Sequence, residues 1–242
     1  MHNKELGPSN FSRLCISLIA IIPPLIFLIK GVYSSSIFTF PIPLLWQVGF
    51  LGEPISSLGL RKKFIKSSII TGFISGCVLG LVGGNILKFF GITGYDYSKL
   101  QKSQYFFGFF NISQLQKELG YQVLTMSNNL LGVYLYLMFC IFIIGLGEEL
   151  FWRGFVQKKI SKRFSKIFSI WLTATLFSLV HLYIFIILPI KAGIFFLALI
   201  AIVGAFWGYL FEYFNNIWAP AISHGLIAFI IWKYYFFTPL FK

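Results

Sequence analysis

Apolar residues run through this chain in long uncharged stretches, without the alternation of half-buried strands. Spanning hydrocarbon takes about twenty residues of helix, and only helices or closed barrels satisfy the backbone there. Candidate spans fall at 14–33, 37–52, 67–90, 130–154, 166–188, 192–212 and 217–237, too long for barrel strands. The pattern predicts an all-α, multi-pass transmembrane helical bundle of about seven spans. Pro41 and Pro43 interrupt the second run, and Ser34 to Ser36 precede it. The first has a basic flank, Lys4 and Arg13, and resembles a signal peptide. Pro23 and Pro24 break its middle and no small-residue cleavage site follows, so it is read as a retained anchor. Residues 91–129, with Lys99, Lys102, Lys117, Asp96 and Glu118, form the one long loop, with a short interfacial helix expected near Ser113 to Leu119. There is no solenoid-type repeat and no domain boundary, so 1–242 reads as a single integral membrane domain.

Composition supports that reading. The chain is 57% hydrophobic and only 11% charged, too little polar surface to cover a water-facing globule. A disordered chain, a coiled coil and a secreted disulfide scaffold are excluded by the same arithmetic. Cys15, Cys77 and Cys140 lie in separate apolar runs without metal-ligand spacing and read as packing residues.

The net charge of +13 is clustered beside the apolar runs. Arg61, Lys62, Lys63 and Lys66 make one group; Arg153, Lys158, Lys159, Lys162, Arg163 and Lys166 make another. Topology and anionic lipid account for both, so membrane lipid is the expected partner and nucleic acid is not. With the amino terminus in the cytoplasm, both groups fall on the cytoplasmic side of a plasma membrane and 91–129 falls outside. Gly72, Gly76, Gly80 and Gly84 recur every fourth residue, a stripe along which another helix can approach closely; Gly204 and Gly208 read the same way.

The chain has seven carboxylates, and Glu148 and Glu149 stand side by side at the end of an apolar run. Ionisable groups at such depth cost about 2.5–3.5 kcal/mol each and mark functional sites. Two of the three histidines, His181 and His224, also lie inside apolar runs. On a helix Glu149 and Arg153 share a face and pair, whereas Glu148 points about 100° away and becomes the candidate acid or base. Phe177 and His181 are likewise four apart. If 130–163 is one helix with a tight turn near Phe164 and Ser165, the next span returns antiparallel and Glu148 and His181 lie level, about 24 Å from the turn. If Trp152 to Phe164 instead lies flat in the interface, no joint site forms. His224, about 12 Å beyond the polar break at Asn215 and Asn216, reaches the same level in the first arrangement. The bland alternative is that each histidine merely satisfies a backbone carbonyl or packs in the bundle.

The run Glu148-Glu149-Leu150-Phe151-Trp152-Arg153 has the form EExxxR, Phe177 to His181 the form FxxxH, and His224 opens a third motif like HxxxN or HxxxD. In this order on successive membrane helices, they resemble the CPBP (Abi) family of type II CAAX prenyl proteases and bacteriocin-processing or immunity proteins, over about Leu130 to Trp232. Ile55 to Lys63 is similar to a segment such proteins carry before an early span.

The resemblance implies an intramembrane endopeptidase in which Glu148 and His181 activate a water that attacks a peptide carbonyl. It makes Glu149, Arg153 and Phe177 supports, and has His224 polarise the carbonyl or bind a metal. The cofactor stays open: Glu148, His181 and His224 suit a three-ligand zinc site with an open position, and equally metal-free water activation. The substrate implied is a peptide or a membrane-associated protein; nothing in the residues fixes the oligomeric state. The sequence departs from the family at Ala228, where an Asn or Asp that helps hold the oxyanion is usual. Such a loss costs on the order of a hundredfold in rate, which opens a second reading as a catalytically weak or inactive binding or immunity protein. Ser223, Asn215 and Asn216 are the nearby polar side chains, none on the same helical face. A transporter using Glu148 and His181 as a proton relay is the third reading; the spans show no inverted repeat to support it.

Overall fold

The computed structural model describes residues 43–90, 105–106, 110–111, 129–182, 185, 189–231 and 233–234. The expected first span and the interfacial helix at 113–119 lie outside them.

The chain enters through a short, wide helix, α1 (Leu44–Phe50), and a 3-10 turn at Ile55–Leu58. Gly52 (φ 62°) and Gly59 (φ 90°) bend it on either side in the left-handed region, which glycine enters without a Cβ penalty. Of the run at 37–52, residues 43–52 are described. Its seven helical residues end at a Gly-Glu-Pro break, after which Leu58 is buried and its carbonyl lies against Gly154.

Five further helices follow among the described residues, in the order α2 (Ile65–Phe89), α3 (Leu130–Ser161), α4 (Lys166–Leu179), α5 (Ile190–Phe214) and α6 (Trp218–Ile230). A two-residue antiparallel pairing, Tyr105–Phe106 with Phe110–Asn111, is the one extended pairing among the described residues. The helices α2, α3 and α5 are long and apolar enough to cross a membrane; α4 and α6 are apolar but only 14 and 13 residues long. The described residues thus give a helical bundle in which three helices are long and apolar enough to span a membrane.

Lipid as the surrounding solvent explains α2. Its buried face is Ser68, Gly72, Gly76, Gly80, Gly83, Gly84 and Leu87, while Ile69, Ile70, Phe73, Ile74 and Val78 face outward. That arrangement is inverted for water and suited to hydrocarbon, where helices associate by close backbone packing. A Cβ on Gly72 would stand 2.6 Å from the Ala219 carbonyl oxygen, and one on Gly76 2.7 Å from Leu226 Cβ. The stripe thus seats α6 on α2.

The chain from Leu130 to Ser161 is one continuous helix. Asn129 caps it, accepting from the Gly132 amide at 2.7 Å. The chain reverses over Lys162 to Phe164 as the Arg163 and Phe164 amides return to the Ile160 carbonyl, and Ser165 caps α4. Trp152 and Phe155 are buried core residues of this helix, so the flat interfacial alternative is ruled out. Within α3 the backbone widens to π-type turns at Cys140–Gly145 and Leu150–Gln157, leaving the α-turn Leu146–Glu149 between them. Such widenings occur mostly at functional sites.

The basic groups gather at one end of the bundle, where α2, α4 and α6 begin and α3 and α5 end. Lys158 Nζ donates to the Ser57 carbonyl at 2.5 Å, Lys159 lies 3.8 Å from Glu53, and Lys166 lies 3.7 Å from Glu212. Asn216 joins the same end, donating to the Lys63 carbonyl and to Ser68 Oγ. Arg153 is the exception: it is wholly buried and is no part of the surface charge.

Candidate active site

Two close approaches bring α3 and α6 together at the glutamates. A Cβ on Gly145 would collide with the Ala221 carbonyl oxygen, and one on Gly225 would lie 2.5 Å from Ile141 Cα. The backbones therefore meet one turn from Glu149 on α3 and next to His224 on α6.

Glu149 is completely buried, and its Oε1 accepts from Arg153 Nη1 at 2.7 Å. The same oxygen faces His224 Nδ1 at 2.8 Å. A carboxylate only accepts, so His224 Nδ1 carries a proton and its Nε2 points away from Glu149. That nitrogen lies 3.8 Å from Glu148 Oε2. The imidazole of His224 thus stands between the two adjacent glutamates. Glu148 does point elsewhere than Glu149, as their 100° offset requires, and it reaches the other ring nitrogen of the same histidine.

Arg153 donates to two helices through its Nη atoms. Its Nη2 donates to the Gly204 carbonyl at 2.8 Å, and its guanidinium lies over the rings of Phe177 (5.0 Å) and Trp207 (5.4 Å). The close approach at Gly204 lets α5 come within reach: a Cβ there would stand 3.3 Å from Arg153 Nη2. The pair Gly204 and Gly208 is thus a packing feature that also delivers carbonyls to buried donors.

His224 is held by aromatic faces. Its ring stacks on Trp207 at 4.1 Å and 17°, with the Phe177 ring nearly perpendicular at 5.7 Å. Trp207 Nε1 in turn donates to Ser223 Oγ at 3.0 Å. His181 follows the last turn of α4, with its ring 5.0 Å from that of Phe177. Its Nδ1 is 2.9 Å from the Phe177 carbonyl oxygen. A carbonyl only accepts, so Nδ1 is protonated and Nε2 of the neutral ring is an acceptor. Each imidazole therefore flanks the one phenyl ring of Phe177.

Of the residues singled out in the sequence, Glu148, Glu149, Arg153, Phe177 and His224 form one contact network, and His181 joins it through Phe177. The fold also adds Trp207 and Ser223. No group of three His, Cys, Asp or Glu side chains is placed to hold a metal ion among the described residues. Cys77 and Cys140 are both free thiols. Ala228 is buried against the apolar cluster of Tyr136, Cys140 and Ile144. The polar neighbours that could stand in for it are otherwise engaged: Ser223 accepts from Trp207, and Asn216 Oδ1 accepts from the Trp218 amide.

Residues 130–230 match the family model described as type II CAAX prenyl endopeptidase Rce1-like. That segment, about two fifths of the chain, is similar to the Rce1-like family. The matched segment runs from the first residue of α3 to the last of α6, so it contains every residue of the network just described. The family so described is one of peptidases, and three of the described helices of this chain are long and apolar enough to cross a membrane. No curated protein and no solved structure matches the chain.

Proposed function

We propose that this protein is an intramembrane endopeptidase that hydrolyses peptide bonds of membrane-associated proteins or peptides by activating water with Glu148 and His181. The observation that carries the reading is His224 lying between Glu149 Oε1 at 2.8 Å and Glu148 Oε2 at 3.8 Å inside an apolar bundle. In this mechanism, Glu148 takes a proton from water while His181 Nε2 accepts the other hydrogen. The hydroxide adds to the peptide carbonyl, and the proton on Glu148 passes to the leaving amine as the C–N bond breaks. His224, held through Nδ1 by Glu149, presents Nε2–H to the carbonyl oxygen when protonated, and Arg153 holds Glu149 in place. The chain would sit in the plasma membrane with its basic end and amino terminus in the cytoplasm.

The test is cleavage of a peptide library by the purified protein in lipid nanodiscs. Glu148→Ala and His181→Ala are each expected to abolish cleavage, and unchanged cleavage contradicts the reading.

The packing of Ala228 favours a second reading, in which the chain is a weakly active or inactive family member that binds a partner or confers immunity. The usual donor position is apolar here, and Ser223 and Asn216 are committed to Trp207 and Trp218. Robust peptide turnover by the wild type excludes this alternative.

A further inference from the structure

Glu149, Arg153 and Gln157 are spaced four apart on α3 and make one polar stripe leading from the site towards the basic end. All three are fully buried. Opposite them on α5 stand Gly204, Gly208 and Glu212, also four apart. Arg153 donates to the Gly204 carbonyl, and Gln157 Nε2 to the Gly208 carbonyl and to Glu212 Oε1, both at 3.2 Å. Thr173 on α4 is also wholly buried.

Each of these four side chains, Glu149, Arg153, Gln157 and Thr173, keeps one buried polar atom without a hydrogen-bond partner in the protein: Glu149 Oε2, Arg153 Nε, Gln157 Oε1 and Thr173 Oγ1. Buried polar atoms in native proteins are almost always satisfied, by protein or by water. The chemistry of the set identifies the ligand. An anion would need donors alone and a cation acceptors alone; a carboxylate oxygen, an amide oxygen, a guanidine N–H and a hydroxyl together suit a molecule that both donates and accepts. Gly208 lets the Gln157 amide approach α5, since a Cβ there would stand 2.7 Å from Gln157 Oε1. At the far end Glu212 Oε2 lies 3.7 Å from Lys166, which is 76% exposed.

We propose that this seam between α3, α4 and α5 is hydrated, with water bound on Gln157, Thr173 and Arg153 forming a path from Glu212 at the basic end to Glu149 and His224. Its use rests on the peptidase reading: hydrolysis consumes one water per bond cut, and the site lies among helices that face lipid. Gln157 and Thr173 are then positioning residues for water.

The test is radiolytic hydroxyl labelling of the full chain in nanodiscs, read by mass spectrometry, which labels side chains beside bound water and needs no substrate. Phe177 and Ile170, although buried, are expected to be labelled several-fold more than the equally buried Phe229 in the α3–α6 cluster. Gln157→Leu should cut that labelling several-fold. Thr173→Val, which keeps the side-chain shape, should do the same and lower kcat for peptide cleavage several-fold with KM unchanged. Labelling at Phe177 and Ile170 no higher than at Phe229, or unmoved by both variants, overturns the proposal. A labelled seam in a wild type that cleaves no peptide overturns the peptidase reading and leaves hydration standing; efficient cleavage with a dry seam does the reverse.

Discussion

His224 Nδ1 lies 2.8 Å from Glu149 Oε1, joining residues 75 positions apart on α6 and α3. That single contact turns two local motifs into one site, because Glu149 is also the partner of Arg153 and His224 also faces Glu148.

Removing Glu149 leaves a buried guanidinium uncompensated. Breaking a buried ion pair costs about 3–5 kcal/mol, because one charge is then stranded. Glu149→Ala is expected to lower the thermal unfolding midpoint strongly in detergent. Glu212→Ala, whose partner Lys166 is mostly exposed, should change stability by less than about 1 kcal/mol through that pair. Equal losses for the two variants would contradict this ordering.

The α3–α6 approach is steric and has a built-in control. Gly225→Ala places a Cβ 2.5 Å from Ile141 Cα, whereas at Gly83 the nearest atom would be 3.7 Å away. Overpacking costs about 1–3 kcal/mol and shifts backbone. Gly225→Ala should therefore reduce both stability and peptide cleavage, and Gly83→Ala neither, as measured by thermal unfolding and turnover.

Trp207 carries both the stack on His224 and the hydrogen bond to Ser223. Trp207→Phe keeps an aromatic face and loses the indole N–H, a net loss of about 0.5–1.5 kcal/mol. Ser223→Ala removes the same bond from the other side, so the double variant should cost less than the sum of the singles. Additive losses in a double-mutant cycle would show that the bond contributes nothing.

Much of this site was legible because its motifs are local. EExxxR and FxxxH are i,i+4 pairs that a helix brings onto one face, and the Glu149–Arg153 pair and the Phe177–His181 contact both form. The long helices are found close to where the apolar runs place them: 67–90 becomes Ile65–Phe89 and 192–212 becomes Ile190–Phe214. What could not be read depends on distant partners. Trp207 meets His224 only after α5 and α6 pack, and the glycines at 145 and 225 look ordinary until the two backbones cross. Apolar runs also overstate helices. The run at 166–188 ends as α4 at Leu179, and His181 Nδ1 meets the Phe177 carbonyl there; hydropathy reports the surroundings of a segment and not its hydrogen bonds. Of the run at 37–52, the described part is a seven-residue helix followed by a bend at Gly52.

The most direct measurement is peptide cleavage in ¹⁸O-labelled water by the wild type and by Glu148→Gln, a substitution that keeps the shape of the side chain and removes its ability to take a proton. The account predicts one ¹⁸O in each newly formed carboxyl group from the wild type, and at least about a hundredfold slower incorporation by a Glu148→Gln protein that unfolds at the same temperature. Incorporation at the wild-type rate by Glu148→Gln would contradict it.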